Sequence, residues 1–194
     1  MADYTVISSV SRALLHILEK HMIPEVLQNQ ESIALCSPEE KGNMQLYIHL
    51  YHISECREMI QNYQGYQLGA DLQMHDSRFL YLYYLFTAVS ASEIRFRAIE
   101  EQNILGKVIQ IMNDHHTLDI PDFSGKNQPP EAGIPVSMMN LSQEEMSKIW
   151  SSLQMKQKLA LYYQIGPVEL ESETSDEIKR ITDTEISIGE RNFS

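Results

Sequence analysis

The run at residues 79–89, FLYLYYLFTAV, constrains the fold more than any other part of the chain. It contains no charged residue, glycine or proline, and it is dominated by aromatic and other apolar residues of the kind that favour strands. Alternate side chains of a strand point to opposite faces of its sheet, and here both sets are apolar or aromatic apart from Thr87. The run therefore predicts a central strand with both faces covered.

A helix after the strand is predicted to cover one of these faces. Serine-containing residues 90–92 end the strand, and a long helix is then predicted from Glu93. Its predicted buried face consists of residues at near-helical spacing, namely Ile94, Ala98, Leu105, Ile109 and Met112. An N-terminal helix is predicted from near Asp3, which can cap it. The apolar side of that first helix is expected to consist of Val6, Val10, Leu14 and Ile17.

Other segments predict further strands and one capped helix. Residues 32–36 and 44–53 resemble strands, and the turn-forming residues between them predict an antiparallel pair. Ser142 and Glu145 have the spacing of a capping box, which predicts a short helix. Residues 159–170 predict a late strand that Pro167 confines to an edge or a bend.

Two stretches show no regular period and are predicted to be irregular, at residues 55–76 and 118–135. Residues 171–194 form an acidic tail, with seven acidic and three basic residues, expected to be mobile or to become ordered on assembly. The sequence thus predicts one α+β domain over residues 1–170, followed by this tail. Its sheet is expected to be mixed and largely antiparallel, with an N-terminal helix, a long helix after the central strand and a short helix in the C-terminal half.

The net charge restricts the classes of partner. A formal charge of −12 over 194 residues argues against a nucleic acid or an anionic membrane surface. The sequence has no apolar run of the roughly 18 residues needed for a membrane span. The N-terminus also lacks the features of a secretory leader, so we expect the chain to fold in the cytoplasm.

Catalytic chemistry has little support in the sequence. No phosphate-cradling loop, nucleophile elbow or zinc-protease motif occurs. The densest group of possible metal ligands is His115, His116, Asp119 and Asp122. Adjacent helical residues point about 100° apart, which is poor geometry for binding one ion. The sequence therefore predicts no catalytic, cofactor-binding or metal-binding residue and no small-molecule substrate; a metal-dependent enzyme using these four residues is the less favoured alternative.

Several segments together resemble one protein family in the order in which they occur. They are DYTVISSVSRALLHIL, IALCSP, LYIHLYHI, LYLYYLFTAV, ILGKVIQIMNDHHTL, LSQEEMSKIWSSL and LALYYQIGPVEL. In this respect the chain resembles, from its start to about Leu170, the N-terminal domain of the cap or tail-terminator proteins of extracellular contractile injection systems. These systems are phage-tail-like particles such as the antifeeding prophage.

The resemblance implies a tail-terminator-like fold and a structural protein that is not an enzyme. Such a protein would form a homo-hexameric ring that ends polymerisation of the inner tube and the sheath and anchors the sheath. It would pair with extended sheath arms through exposed strand edges. It would be assembled in the cytoplasm and released as part of the particle. Many members of that family carry a further C-terminal region, whereas this sequence ends at Ser194. The alternatives are therefore a short paralogue that builds only the inner cap layer, or a baseplate or adaptor component of the same particle.

A candidate assembly surface follows from the irregular stretch, the proline-limited strand and the tail. Its residues are Gln61, Tyr63, Tyr66, Pro167, Val168, Ile178, Ile181, Ile186 and Ile188.

Overall fold

The computed structural model describes residues 4–40, 42–57, 78–119 and 133–170, and the backbone of 74–75 and 175–176. In these ranges the elements are α1 (Val6–Met22), a 3₁₀ turn (Gln30–Ser32), β1 (Ile33–Leu35), β2 (Leu46–Glu55), β3 (Met74–His75), β4 (Arg78–Ala88), α2 (Ile94–Asp114), β5 (Thr117–Leu118), β6 (Ile134–Met138), α3 (Gln143–Ser152), β7 (Ala160–Leu170) and β8 (Ser175–Asp176).

A six-stranded sheet with the order β1-β2-β4-β7-β6-β5 forms the centre of the fold. Strand β4 lies in its interior and pairs antiparallel with β2 on one side and β7 on the other. All neighbours in this sheet are antiparallel except β1 and β2. Strands β3 and β8 form a separate two-stranded pair. The predictions of an α+β class and of a central strand at residues 79–89 are confirmed.

The two faces of β4 contribute to two hydrophobic clusters. Leu82, Tyr84 and Phe86 are fully buried in the main core, which also contains the buried residues of α1 and α2. On the opposite face, Leu85 packs with Trp150 of α3 and Tyr162 of β7. Farther along this second face, residues 81 and 83 are tyrosines that remain half-buried. The predicted cover is therefore complete on the first face and partial on the second.

The predicted starts and faces of the long helices need correction. Helix α1 is preceded by Thr5, which makes no side-chain capping bond. The buried position in its fourth turn is Leu18, whereas Ile17 is half-buried. Asp3 lies outside the described residues. The residues of α2 that are buried all lie in its second half: Ile104, Leu105, Val108, Ile111 and Met112.

Helix α2 was expected to bury its first turn, and this expectation is wrong. Ile94 is 86% exposed and Ile109 is 40% exposed, and Ala98 is also exposed. At about 100° per residue, Ile94 points to the same side of the helix as the buried Met112. Ile94 therefore lies on the buried face of α2, as predicted, but no described element packs against this face at the start of the helix.

The predicted antiparallel pairing of the first two strands is wrong, because β1 and β2 are parallel. Strand β1 has three residues, so it is only about 10 Å long. The connection over residues 36–45 is long enough to run back along it, and the Gln45 N–H donates to the Ser32 carbonyl where β2 begins.

The second predicted irregular stretch, residues 118–135, is shorter in the structure than predicted. Leu118 belongs to β5, and β6 includes Pro135. The proline is tolerated because β6 pairs with β7 only from Val136 onward, so its missing N–H is not needed in that ladder.

The capping box of α3 is confirmed. The Ser142 hydroxyl accepts from the Glu145 N–H, and the Glu145 carboxylate accepts from the Ser142 N–H at 2.8 Å. Leu141 and Met146, on either side of this box, both pack on the Trp150 cluster. The indole N–H of Trp150 donates to the Tyr162 hydroxyl at 3.0 Å, which fixes α3 against β7.

Leu82→Ala should lower the free energy of unfolding by about 2–5 kcal/mol, because it leaves a cavity at a fully buried position of β4. The matched control is Ile94→Ala, a truncation at an exposed position, which should change it by less than about 0.5 kcal/mol. Urea unfolding followed by circular dichroism measures both. Equal losses would contradict the burial assignment.

Candidate assembly surface

Most of the predicted surface lies outside the described residues. This applies to Gln61, Tyr63, Tyr66, Ile178, Ile181, Ile186 and Ile188. The structure places the other two in β7, where Pro167 is half-buried and the Val168 side chain is fully buried in the main core. Val168 can therefore reach a partner only through its backbone.

The second half of β7 is a sheet edge. Strand β6 reaches no farther along β7 than Ile165, whereas β7 continues to Leu170, where β4 is its only strand partner among the described residues. Pro167 lies beside a register shift in the β4–β7 ladder, between Leu80 and Leu82. The predicted edge or bend is thus present, in the second half of the strand.

Gly166 makes this bend possible. Its φ of 134° lies in the region that favours glycine, and a Cβ there would lie 2.6 Å from the Leu80 carbonyl oxygen. The close approach of the two backbones therefore excludes a side chain at this position.

A second edge lies along β2. Strand β1 pairs only with residues 46–48, and the Cys36 N–H donates to the Ile48 carbonyl at 3.1 Å just beyond it. The rest of β2, residues 49–55, pairs with β4 on its inner side. In the part of the chain that the structure describes, no strand pairs with its outer side. This edge was not predicted, because the sequence does not show how far β1 extends along β2.

A surface cavity of about 220 Å³ opens where β1 ends beside β2. It is lined by Ser11 of α1, Leu35 and Cys36, the β2 residues Ile48, His49 and Leu50, and Tyr84. The hydroxyls of Ser11 and Tyr84 are hydrogen-bonded at 2.8 Å, and burial raises the pKa of Tyr84 to about 12. Burial, and to a lesser extent Glu40, also raises the pKa of the Cys36 thiol. The cavity therefore has an uncharged, largely apolar lining without a reactive thiolate.

The first turns of α2 expose an apolar patch. Ile94, Phe96 and Ile99 are 86%, 50% and 57% exposed, and the Arg95 guanidinium lies 5.0 Å from the centre of the Phe96 ring. Sequence reasoning missed this patch because it assigned the start of the helix to the core.

The Glu100 carboxylate ties this part of α2 to the end of β4. It accepts hydrogen bonds from the hydroxyls of Ser90 and Ser92, the latter at 2.6 Å. These two bonds lower the pKa of Glu100. The exposed start of the helix is therefore held in a fixed position relative to the sheet.

The open part of the second sheet face is aromatic and polar. The Tyr83 ring contacts the rings of Tyr51 and His52, at centroid distances of 6.2 and 5.2 Å. The Tyr83 hydroxyl is also hydrogen-bonded to Ser54 at 3.1 Å. Tyrosine is enriched at protein interfaces, so this face is a further candidate contact surface.

Three of the four possible metal ligands, namely His115, His116 and Asp119, are described, and they form no metal-binding group with one another. Among the residues that are described, no group of three or more His, Cys, Asp or Glu side chains could hold an ion. His115 contacts His21, Asp122 lies outside the described residues, and the His116 carbonyl accepts from the Val136 N–H. Burial, followed by the neighbouring His115, Lys20 and Lys107 charges, lowers the pKa of His21.

No described helix is long and apolar enough to cross a membrane.

Residues 9–183 match the family model of the Pvc16 N-terminal domain. The chain belongs to this family. A comparison with curated proteins finds no match.

Two solved structures share the fold of this Pvc16 N-terminal domain. One is the PVC sheath/tube terminator in the extended state, from an extracellular contractile injection system, with a TM-score of 0.58 and 16% identity. The match covers 99% of this chain and 66% of that one. The other is the tube terminating cap of the anti-feeding prophage, with a TM-score of 0.53 and 14% identity. This match covers 92% of this chain and 60% of that one. The tail-terminator-like fold predicted from the sequence is therefore confirmed, and the chain spans less than two thirds of the length of each of these two proteins.

Gly166→Ala should lower the free energy of unfolding by about 1–3 kcal/mol, because it forces a side chain into a strained backbone conformation against the Leu80 carbonyl. Gly106→Ala is the matched control: it lies in α2 with no atom within 4 Å of an added Cβ, and it should stabilise the protein by about 0.5–1 kcal/mol. Chemical denaturation measures both changes. If Gly166→Ala were as stable as wild type, the described bend at this position would be wrong.

His49 should make stability depend on pH. Burial is the main cause that lowers its pKa below 6.5, against the opposing effect of Glu39 and Glu40. The contribution of neutral His49 to the free energy of unfolding is thus fully present above pH 6.5. It decreases as the pH falls from 6.5 towards the lower pKa of the folded state. Between about pH 7.5 and pH 5.5, wild type should lose more thermal stability than His49→Gln does. The exposed His16 provides the control, since His16→Gln should behave like wild type; an identical pH response of all three proteins would refute the effect.

Proposed function

We propose that this chain is a structural cap of a contractile phage-tail-like particle, a terminator that ends polymerisation of the tube and the sheath and anchors the sheath. The observation that carries this proposal is the family match over residues 9–183. The shared fold with a sheath/tube terminator and a tube terminating cap gives further support.

The proposed working form is a homo-hexameric ring that contacts sheath and inner-tube proteins. Two edges support assembly by strand addition, namely residues 49–55 of β2 and residues 166–170 of β7. In this mode an incoming extended segment is held by main-chain hydrogen bonds, and side-chain alternation sets its register. The cavity beside β2 could accept one apolar side chain of such a segment.

We also propose that the polar stretch and the tail take part in assembly, through the seven candidate residues that lie outside the described ranges. One observation connects the two stretches. Met74–His75 pairs with Ser175–Asp176, which places the end of the first stretch beside the beginning of the second. We retain the division into a domain at 1–170 and a tail at 171–194 as part of this proposal.

The proposed role is not enzymatic and requires no cofactor or small-molecule substrate. The proteins that share the fold are described as a terminator and a cap. The proposed location is the cytoplasm during assembly and then the particle, which is released from the cell.

Reconstitution with the tube and sheath proteins of the same particle tests the proposal. With the chain present, negative-stain microscopy should show tubes of uniform length with a ring at one end; without it, tube lengths should be broadly distributed. Unchanged length distributions and no end-bound density would refute the cap. Density at the opposite, baseplate end would favour the adaptor role.

The β2 edge can be tested in the same assay with Ile53→Lys. Ile53 is 41% exposed on this edge, and lysine on an edge strand opposes the addition of another strand. The variant should remain folded but lose control of tube length. Ile109→Lys is the matched control, because Ile109 is 40% exposed on α2, away from the edge. Normal capping by Ile53→Lys would exclude the β2 edge as an assembly contact.

A further inference from the structure

Two histidines that are far apart in sequence meet where the long helices end. His21 lies in the last turn of α1, and His115 directly follows the last residue of α2. Their Nε2 atoms are 3.2 Å apart, and the ring centroids are separated by 4.9 Å with planes tilted by 46°. Both rings are half-buried, so one side of the pair faces solvent.

The helix ends that carry both rings are anchored in the core. Met22, the residue after His21, is fully buried, and Met112 near the end of α2 is 2% exposed. The packing of α1 and α2 therefore holds the two backbone positions that carry the rings close together.

This separation matches that of two imidazole ligands on one metal ion. Zinc–nitrogen bonds of about 2.0–2.1 Å in a tetrahedral arrangement place two ligand nitrogens about 3.3 Å apart. We propose that His21 and His115 form a binding site for a divalent transition metal, with zinc as the preferred class, that joins the C-terminal ends of α1 and α2. Imidazole nitrogens suit zinc, copper and nickel, whereas magnesium and calcium prefer oxygen ligands.

Two protein ligands leave the remaining coordination positions to water or to a donor from another molecule. The nearby charges are mixed, because Lys20 and Lys107 oppose a cation and Asp114 favours it. The Lys107 ammonium is paired with the Glu25 carboxylate at 2.7 Å, which offsets part of its repulsion. The site is therefore expected to be moderate in affinity and open to exchange.

Occupancy would connect the two helices that cover the main face of the sheet, through residues 94 positions apart in the chain. A ligand that binds only the folded state raises stability by mass action, so metal binding should be visible as a rise in melting temperature. This inference does not depend on the proposed cap function.

Calorimetric titration and thermal unfolding of the full chain with zinc or nickel test the site. We expect one ion per chain and a higher melting temperature with zinc, but no rise with magnesium. His21→Gln and His115→Gln should each weaken binding by more than about tenfold, because metal sites lose that much affinity even when only the residues behind the ligands change. His16→Gln, at an exposed position of the same helix, is the matched control and should bind as wild type does.

A second measurement uses only wild type, so that the test of the site does not depend on how well the variants fold. Substoichiometric copper should broaden the imidazole NMR signals of two of the seven histidines before the others. No response of wild type to millimolar zinc, unchanged affinity in both glutamine variants, or broadening of a different histidine pair would each overturn the proposal.

Discussion

The structure depends on the double burial of β4. Its backbone is paired on both edges, with β2 and with β7, while its side chains contribute to two different cores. A segment of this kind satisfies its polar backbone groups and buries aromatic area at the same time, so the two largest requirements of folding are met together. The helices then attach to faces that β4 has already defined, and the shorter strands attach to its neighbours.

Unequal strand lengths explain why a sheet with such a well-covered centre still has edges that no described strand covers. The three-residue β1 accompanies the ten-residue β2 over a small part of its length, and the five-residue β6 does the same for the eleven-residue β7. Long strands beside short ones leave main-chain groups available for another chain, which isolated proteins normally avoid because it promotes aggregation. For a protein proposed to end a polymer, such edges are suited to assembly, and the bend at Pro167 limits how a segment can add at one of them.

The parts of the fold that could be predicted from sequence are those determined by neighbours along the chain. The aromatic run of β4, the Ser142 capping box and the proline-limited strand carry local signals, and each is found in the structure. The errors concern relations between distant segments. The parallel pairing of β1 depends on the path of the connection, and the exposure of Ile94 depends on how far the sheet extends under α2.

The same limit applies to the candidate surfaces. The sequence pattern groups His115 with possible metal ligands that follow it in the chain, whereas the histidine that it contacts in the structure is His21. The open edge of β2 could not be predicted either, because it is defined by where a different strand stops. Pro167 was found because proline chemistry is local, but burial of the adjacent Val168 follows from packing that one sequence does not reveal.

The Trp150–Tyr162 contact gives this protein a built-in optical probe. The chain has a single tryptophan, it is 1% exposed, and it lies in the smaller core between α3 and the sheet. Its intrinsic fluorescence therefore reports the docking of one short helix, while far-ultraviolet dichroism reports the backbone of the whole domain. Comparison of the two signals during unfolding would show whether the smaller core separates before the larger one or melts in the same cooperative step.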